Sequence, residues 1–144
     1  MISDEEIKSE VDISYCSVGG FSNLKTEDIF KADNNYYIDF DGFKISSKID
    51  KTKIFSIDNK YDYGVIIKLR NKHHPVRTQI CVAGLGESGT TGASWYLANK
   101  WKLLLKKVKR NDFGCIIRVE PGKDGTAEIV ELITMKDYKE LIHK

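Results

Sequence analysis

The chain has 144 residues, 41% of them hydrophobic and 31% charged, with a formal net charge of +2. These proportions fit one soluble globular domain, residues 1 to 144, large enough for a hydrophobic core. The near balance of charge implies neither nucleic acid nor membrane. No apolar run follows a basic start and no stretch reaches the length of a membrane span, so a cytoplasmic protein is expected. The three cysteines, Cys16, Cys81 and Cys115, each lie within an apolar strand-like run without CxxC spacing. That reads as buried thiols rather than a disulfide framework or a zinc site. Richness in Lys, Ile and Asn hints at an AT-rich prokaryotic genome.

Residues 1 to 10 are polar and acidic, with little more than a frayed start in them. Val11 to Val18 alternates Val11, Ile13 and Tyr15 with polar residues and stops at Gly19-Gly20, which predicts a strand ending in a flexible turn. Thr26-Glu27-Asp28 is placed to cap a short helix from Ile29 to Ala32. Tyr36 to Phe40 and Phe43 to Ile49 flank Asp41-Gly42, a hairpin signal because both turn positions favour positive φ. Lys53 to Ile57 adds a short strand, Asp58-Asn59-Lys60 a turn, and Tyr63 to Leu69 a buried strand. His73-His74-Pro75 sits in an exposed connection without fixed ligand geometry, so no metal is expected there.

Gln79 to Ala83 then forms an apolar strand, Gly84 to Gly92 a glycine-rich turn, and Thr91 to Val108 an amphipathic helix. Ala93, Leu97, Trp101, Leu104 and Val108 fall on one stripe of that helix and predict its buried face. Trp95 lies off the stripe with Asn99, Lys102 and Lys106, which marks either a partner or dimer surface or burial under the terminal helix. The lysines at 100, 102, 106, 107 and 109, with Arg110, read as a solvated face that complements the helix dipole. Asp112 to Glu120 is a strand, Pro121-Gly122 and KDGT a loop, Ala127 to Thr134 a last antiparallel strand, and Lys136 to Lys144 a short terminal helix. Asp62 to Leu69 echoes Asp112 to Val119 almost position for position. These two strands are expected to flank the glycine-loop strand on its two sides.

The glycine turn carries the chemical expectation. A strand, a glycine turn and a helix in that order aim backbone N–H groups and the positive end of a helix dipole at an anion. Gly84, Gly86 and Gly89 satisfy GxGxxG, but no Gly-Lys-Ser/Thr closes a Walker loop and no GxSxG surrounds Ser88. If the strand at Val11 to Val18 runs parallel to that at Gln79 to Ala83, the loop Gly19 to Asn23 meets the glycine turn at one sheet edge. The candidate ligand-binding set is then Gly19, Gly20, Ser22, Asn23, Gly84, Gly86, Ser88, Gly89, Thr90 and Thr91. Asp62 and Tyr63 lie beside these loops only if their own strand is antiparallel. Glu87 and Asn23 are the candidate catalytic residues should a ligand be hydrolysed there. The competing reading is that the glycines only allow tight packing of strand on helix.

The segments SVGGFSN, DYGVIIK and VAGLGESGTTGASWYLANKW together resemble a poorly characterised Rossmann-like domain of bacterial and archaeal proteins, over Val11 to Glu120. The resemblance implies an α/β fold with a mixed sheet, a Rossmann-like strand, glycine loop and helix, and a site at the two loops; it names no activity or cofactor. The resulting expectation is a sensor or signalling module for a nucleotide-like or other anionic small molecule. A hydrolase of such a ligand, or a partner-binding domain using Trp95, are the alternatives.

Overall fold

β-Branched and aromatic runs become strands of two sheets, and the longest amphipathic stretch becomes the helix that covers one of them. The computed structural model describes residues 13–18, 29–32, 34–41, 43–70 and 78–142, and the side chains of all of these except 13–18. Strands β1 (Ile13–Val18), β5 (Asp62–Arg70), β6 (Thr78–Gly84), β7 (Phe113–Glu120) and β8 (Lys123–Thr134) form a five-stranded sheet in the order β1-β6-β5-β7-β8. Strands β2 (Ile38–Phe40), β3 (Ile45–Ser47) and β4 (Ile54–Phe55) form a separate three-stranded antiparallel sheet. Helix α1 (Glu87–Val108) follows β6, and helix α2 (Met135–Ile142) follows β8. The α/β class with a mixed large sheet is as expected, while the second sheet is an addition to it.

Alternation along the strands separates two cores. On one face of the large sheet, Ile66, Ile80, Val82, Cys115, Ile117 and Val119 pack against Ala93, Leu97, Trp101, Leu104 and Val108 of α1. All five residues of the predicted helix stripe are buried, and Tyr96 joins them. On the other face, Val65, Ile67, Leu69, Cys81, Ala83 and Ile116 pack against Ile38, Phe40 and Ile45 of the small sheet. The layers are therefore helix, large sheet, small sheet.

The pairing decides where the glycine turn sits. β1 is parallel to β6, with Val18 opposite Val82. β5 is antiparallel to β6, with Gly64 opposite Gly84, and antiparallel to β7, with Gly64 opposite Ile117. The carboxyl end of β1 thus reaches the glycine-turn edge, and the start of β5 lies beside it. The echoing strands β5 and β7 do not flank β6; they pair with each other, and β5 alone separates β6 from β7. β6 and β7 consequently run in the same direction, and β6-α1-β7 is a crossover spanning one antiparallel strand.

Local differences from the expected elements have local causes. The helix begins at Glu87 rather than Thr91, so Ser88, Gly89, Thr90 and Thr91 are helical residues and the turn shrinks to Leu85 and Gly86. KDGT is not a loop but the first part of β8, since only Pro121 and Gly122 turn the chain, the latter with φ 75°. Val130 is bulged where Glu131 faces Ile116 and Ile129 faces Ile117, which keeps both Ile129 and Leu132 on the helix side. The long hairpin leans over α1: Gly122 N–H donates to Ser88 Oγ at 3.1 Å, and Thr91 Oγ1 donates to Asp124 at 3.0 Å. Trp95 is half-buried beneath it, packed on the helix-side core and facing Gly125, rather than under the terminal helix. Helix α2 docks instead through Tyr138, whose ring stacks on Tyr36 at 4.3 Å.

Asp41 organises the hairpin between β2 and β3 by accepting from Lys44 N–H and Phe43 N–H, and these donors hold its carboxyl below the usual range. Gly42, the cap residues Thr26 to Asp28, and residues 1–12 and 71–77, His73 and His74 among them, lie outside the described residues. Among the described residues, no helix is long and apolar enough to cross a membrane.

Leu104 is fully buried while its neighbour Leu103 is 52% exposed. Leu104→Ala should lower unfolding free energy by about 2–5 kcal/mol, and Leu103→Ala by less than about 0.5 kcal/mol, measured by urea denaturation.

Candidate functional site

Gly86 is the N-cap of α1 and has no side chain to satisfy the first helical N–H groups. Asp62, from the start of β5, supplies the missing acceptor. Its Oδ2 accepts from Gly89 N–H at 2.8 Å, and its Oδ1 accepts from Gly86 N–H at 3.1 Å and from Tyr63 N–H at 2.7 Å. The bond to Gly89 is the one an N-cap side chain ordinarily makes to the third helical residue. The side chain is buried, 4% exposed, and its charge faces the positive end of the helix dipole. The anion in the glycine turn is thus a carboxylate of the protein itself.

The glycines are explained by the same contact. A Cβ at Gly86 would stand 2.5 Å from Asp62 Oδ2, and one at Gly64, Gly84 or Gly89 would overlap backbone of the facing segment. The hydroxyls of the turn are engaged as well. Thr90 Oγ1 donates to Gly86 O at 3.2 Å, Thr91 Oγ1 to Asp124, and Ser88 Oγ accepts from Gly122. Of the predicted set, Gly86 and Gly89 bond Asp62, Gly84 and Thr90 pack beside them, and Ser88 and Thr91 engage the β7-β8 hairpin. Gly19, Gly20, Ser22 and Asn23 lie outside the described residues. Glu87 is exposed on the first turn of α1, where its charge adds to that of Asp62, and its side chain makes no hydrogen bond among the described residues. Only the Glu87 and Ser88 N–H groups of the first turn remain without a partner among the described residues.

Two carboxylates therefore crowd the amino end of α1, with Asp124 a third close by. The other end is basic. A cleft of 730 Å³ opens between the last turn of α1 and the first turns of α2, lined by Lys107, Val108, Lys109, Asn111, Thr134, Met135, Lys136, Lys139 and Glu140. Val108 and Met135 supply an apolar floor. Lys107, Lys109, Lys136 and Lys139 form no ion pair among the described residues. Lys109 turns the chain with φ 56°, after its N–H has closed the helix on Leu105 O at 2.7 Å. Thr134 N–H and Oγ1 both donate to Asp137 Oδ2, which caps α2 and fixes the opposite wall.

The sequence reading took the lysines of α1 as a solvated face and missed this cleft. Lys136 and Lys139 are 27 or more positions away in the chain, and only the β7-β8 hairpin returns α2 to the end of α1.

Beneath the α1 wall lies Lys68, on the helix-facing side of β5 and 2% exposed. Its Nζ donates to Asn111 O at 3.1 Å. Burial lowers its pKa, and the nearby Asp112 carboxylate opposes that shift. Asp112 itself accepts from Arg70 N–H at 3.0 Å. Elsewhere, Cys81 and Cys115 are buried in the two cores, and burial pushes the Cys115 thiol up. Among the described residues no group of three or more His, Cys, Asp and Glu stands together for a metal.

Comparison with protein-family models, with curated proteins and with solved structures finds no match.

Asp62→Ala removes the acceptor of three backbone N–H groups and should destabilise the fold by about 2–4 kcal/mol, with Asp62→Asn intermediate because one acceptor remains; chemical denaturation checks both. Lys68 gives the opposite result. An amine whose folded pKa is lowered below its unfolded value weakens the fold at neutral pH, and that cost fades as pH rises from the folded value towards 10.5. Lys68→Met should therefore be at least as stable as the wild type at pH 7, with its relative advantage shrinking as pH rises towards about 10.5; urea midpoints from neutral pH upward measure it.

Proposed function

We propose that the protein binds an anionic small molecule, as a sensor or signalling module, and that the basic cleft between α1 and α2 is its receptor. The observation that carries this reading is the convergence, on an apolar floor in a cleft of 730 Å³, of four lysines that form no ion pair among the described residues. That volume lies in the usual range of small-molecule sites, about 300–1,000 Å³. The lysines supply charge for phosphate or carboxylate groups, and Val108 and Met135 supply a surface for a less polar part of the ligand. A nucleotide fits that description.

The reading is one of binding rather than turnover. Lysines held above their carbonyl-rich helix end attract anions, but among the described residues the cleft offers one carboxylate, Glu140, and no histidine or cysteine to move a proton. The resemblance to a Rossmann-like domain supports the local order of strand, glycine turn and helix. A doubly wound sheet would place β7 directly beside β6, whereas β5 intervenes here.

A ligand at the glycine turn is the second reading, favoured by the parallel pairing that brings the end of β1 beside β6. There it would meet the Glu87 and Ser88 N–H groups, next to the Asp62 charge.

Titration calorimetry with ATP and with tripolyphosphate separates the two. Lys107→Glu/Lys136→Glu should weaken binding at least tenfold and leave the melting temperature of the free protein within a few degrees. Unchanged affinity in that variant would move the site away from the cleft, and no binding by the wild type would end the anion reading.

A further inference from the structure

Lys68 is a buried cation that the core does not need. It occupies the helix-facing side of β5, in the row Asp62, Gly64, Ile66, Lys68. An apolar side chain there would avoid the desolvation of an ammonium. Three observations connect it to the cleft instead. Its one acceptor among the described residues is the backbone carbonyl of Asn111, a residue that lines the cleft. That carbonyl follows directly on the last turn of α1, where Asn111 N–H bonds Val108 O, so the bond ties the cleft wall to the sheet. The carboxylate nearest in charge terms, Asp112, takes Arg70 N–H and forms no ion pair with Lys68.

Resting on the cleft as the anion receptor, we propose that Lys68 is a positioning residue for it. Its buried charge offsets the negative carbonyl end of α1 and its hydrogen bond fixes the wall that carries Lys107, Lys109 and Asn111. An anion placed in the cleft meets the carboxyl-terminal end of α1, whose last carbonyls on their own repel it. The exposed lysines overcome that repulsion from the solvent side, where salt screens them. Lys68 acts from beneath, where salt penetrates little. The charged groups around it are Asp112, Arg70 and Arg110.

The test is the affinity of tripolyphosphate for wild type, Lys68→Met, Lys68→Gln and Lys68→Arg, by titration calorimetry at 50 and 300 mM salt, with urea midpoints measured alongside. Met and Gln should each weaken binding on the order of tenfold, the size expected of one poorly screened charge, without loss of stability. Arg, which keeps the charge and a donor, should stay within about threefold. The factor lost with Met or Gln should be the same at both salt concentrations, whereas the factor lost with Lys136→Glu should shrink at 300 mM. A folded Gln variant that binds like the wild type overturns the role of Lys68, even while Lys107→Glu/Lys136→Glu abolishes binding and upholds the cleft. Loss of affinity matched by an equal loss in the Arg variant overturns it too. If Met does not fold, Gln and Arg carry the comparison.

Discussion

The carboxylate of Asp62 in the turn before α1 is the contact on which the rest of the architecture depends. It lets Gly86 serve as an N-cap without a side chain, and a side chain at Gly86 would collide with it. It locks the start of β5 to the start of α1, which sets the close approach of Gly64 to Gly89 and the seating of the helix stripe on the sheet. A buried carboxylate is costly unless hydrogen-bonded, and three backbone N–H groups meet it here. The same geometry that makes a helix N-terminus attractive to phosphate is satisfied from within the chain.

Because α1 runs alongside β5 in the same direction, this strand complements the helix at both ends. Asp62 meets the positive end and Lys68 the negative end, with Gly64 and Ile66 filling the space between. Charge is thereby sorted along the molecule. Asp62, Glu87 and Asp124 gather at one end of α1, and Lys107, Lys109, Lys136 and Lys139 at the other. For an anionic ligand, the sum of side-chain charge outweighs the half-charges of the helix termini, so the basic end is favoured despite its dipole.

Much of the layout was legible in the residues. The apolar stripe of α1, the hairpin held by Asp41, and the strands from Tyr63 and Phe113 follow from periodicity and turn chemistry, whereas the parallel course of β1 and β6 was only a condition until the pairing showed it. The start of α1 was less so, because Gly86, Gly89 and Gly92 depress helix propensity and the acceptor that stabilises this turn comes from a residue 24 positions earlier. The adjacency of β5 and β7 depends on strand order, which two similar apolar runs cannot specify by themselves. The cover over Trp95 was not legible because helical spacing gives an angle about an axis, not the presence of a hairpin leaning over it. The cleft was hidden for a related reason: its lysines belong to two helices that only tertiary structure brings together. Asn35 was overlooked altogether, yet its buried amide bonds Phe30 O, Ile38 O, Tyr37 N–H and Ile38 N–H, and so ties the small sheet to the segment before it.

The central claim is that the glycine turn is filled by Asp62 and that anions go to the opposite end of α1. Backbone amide NMR during a titration with tripolyphosphate tests it most directly. Progressive shifts at Lys107, Lys109, Asn111, Lys136 and Lys139, with Gly86 and Gly89 unmoved, are the predicted result. Shifts that concentrate at Gly86, Glu87, Ser88 and Gly89 while the α1-α2 cleft stays silent would contradict it.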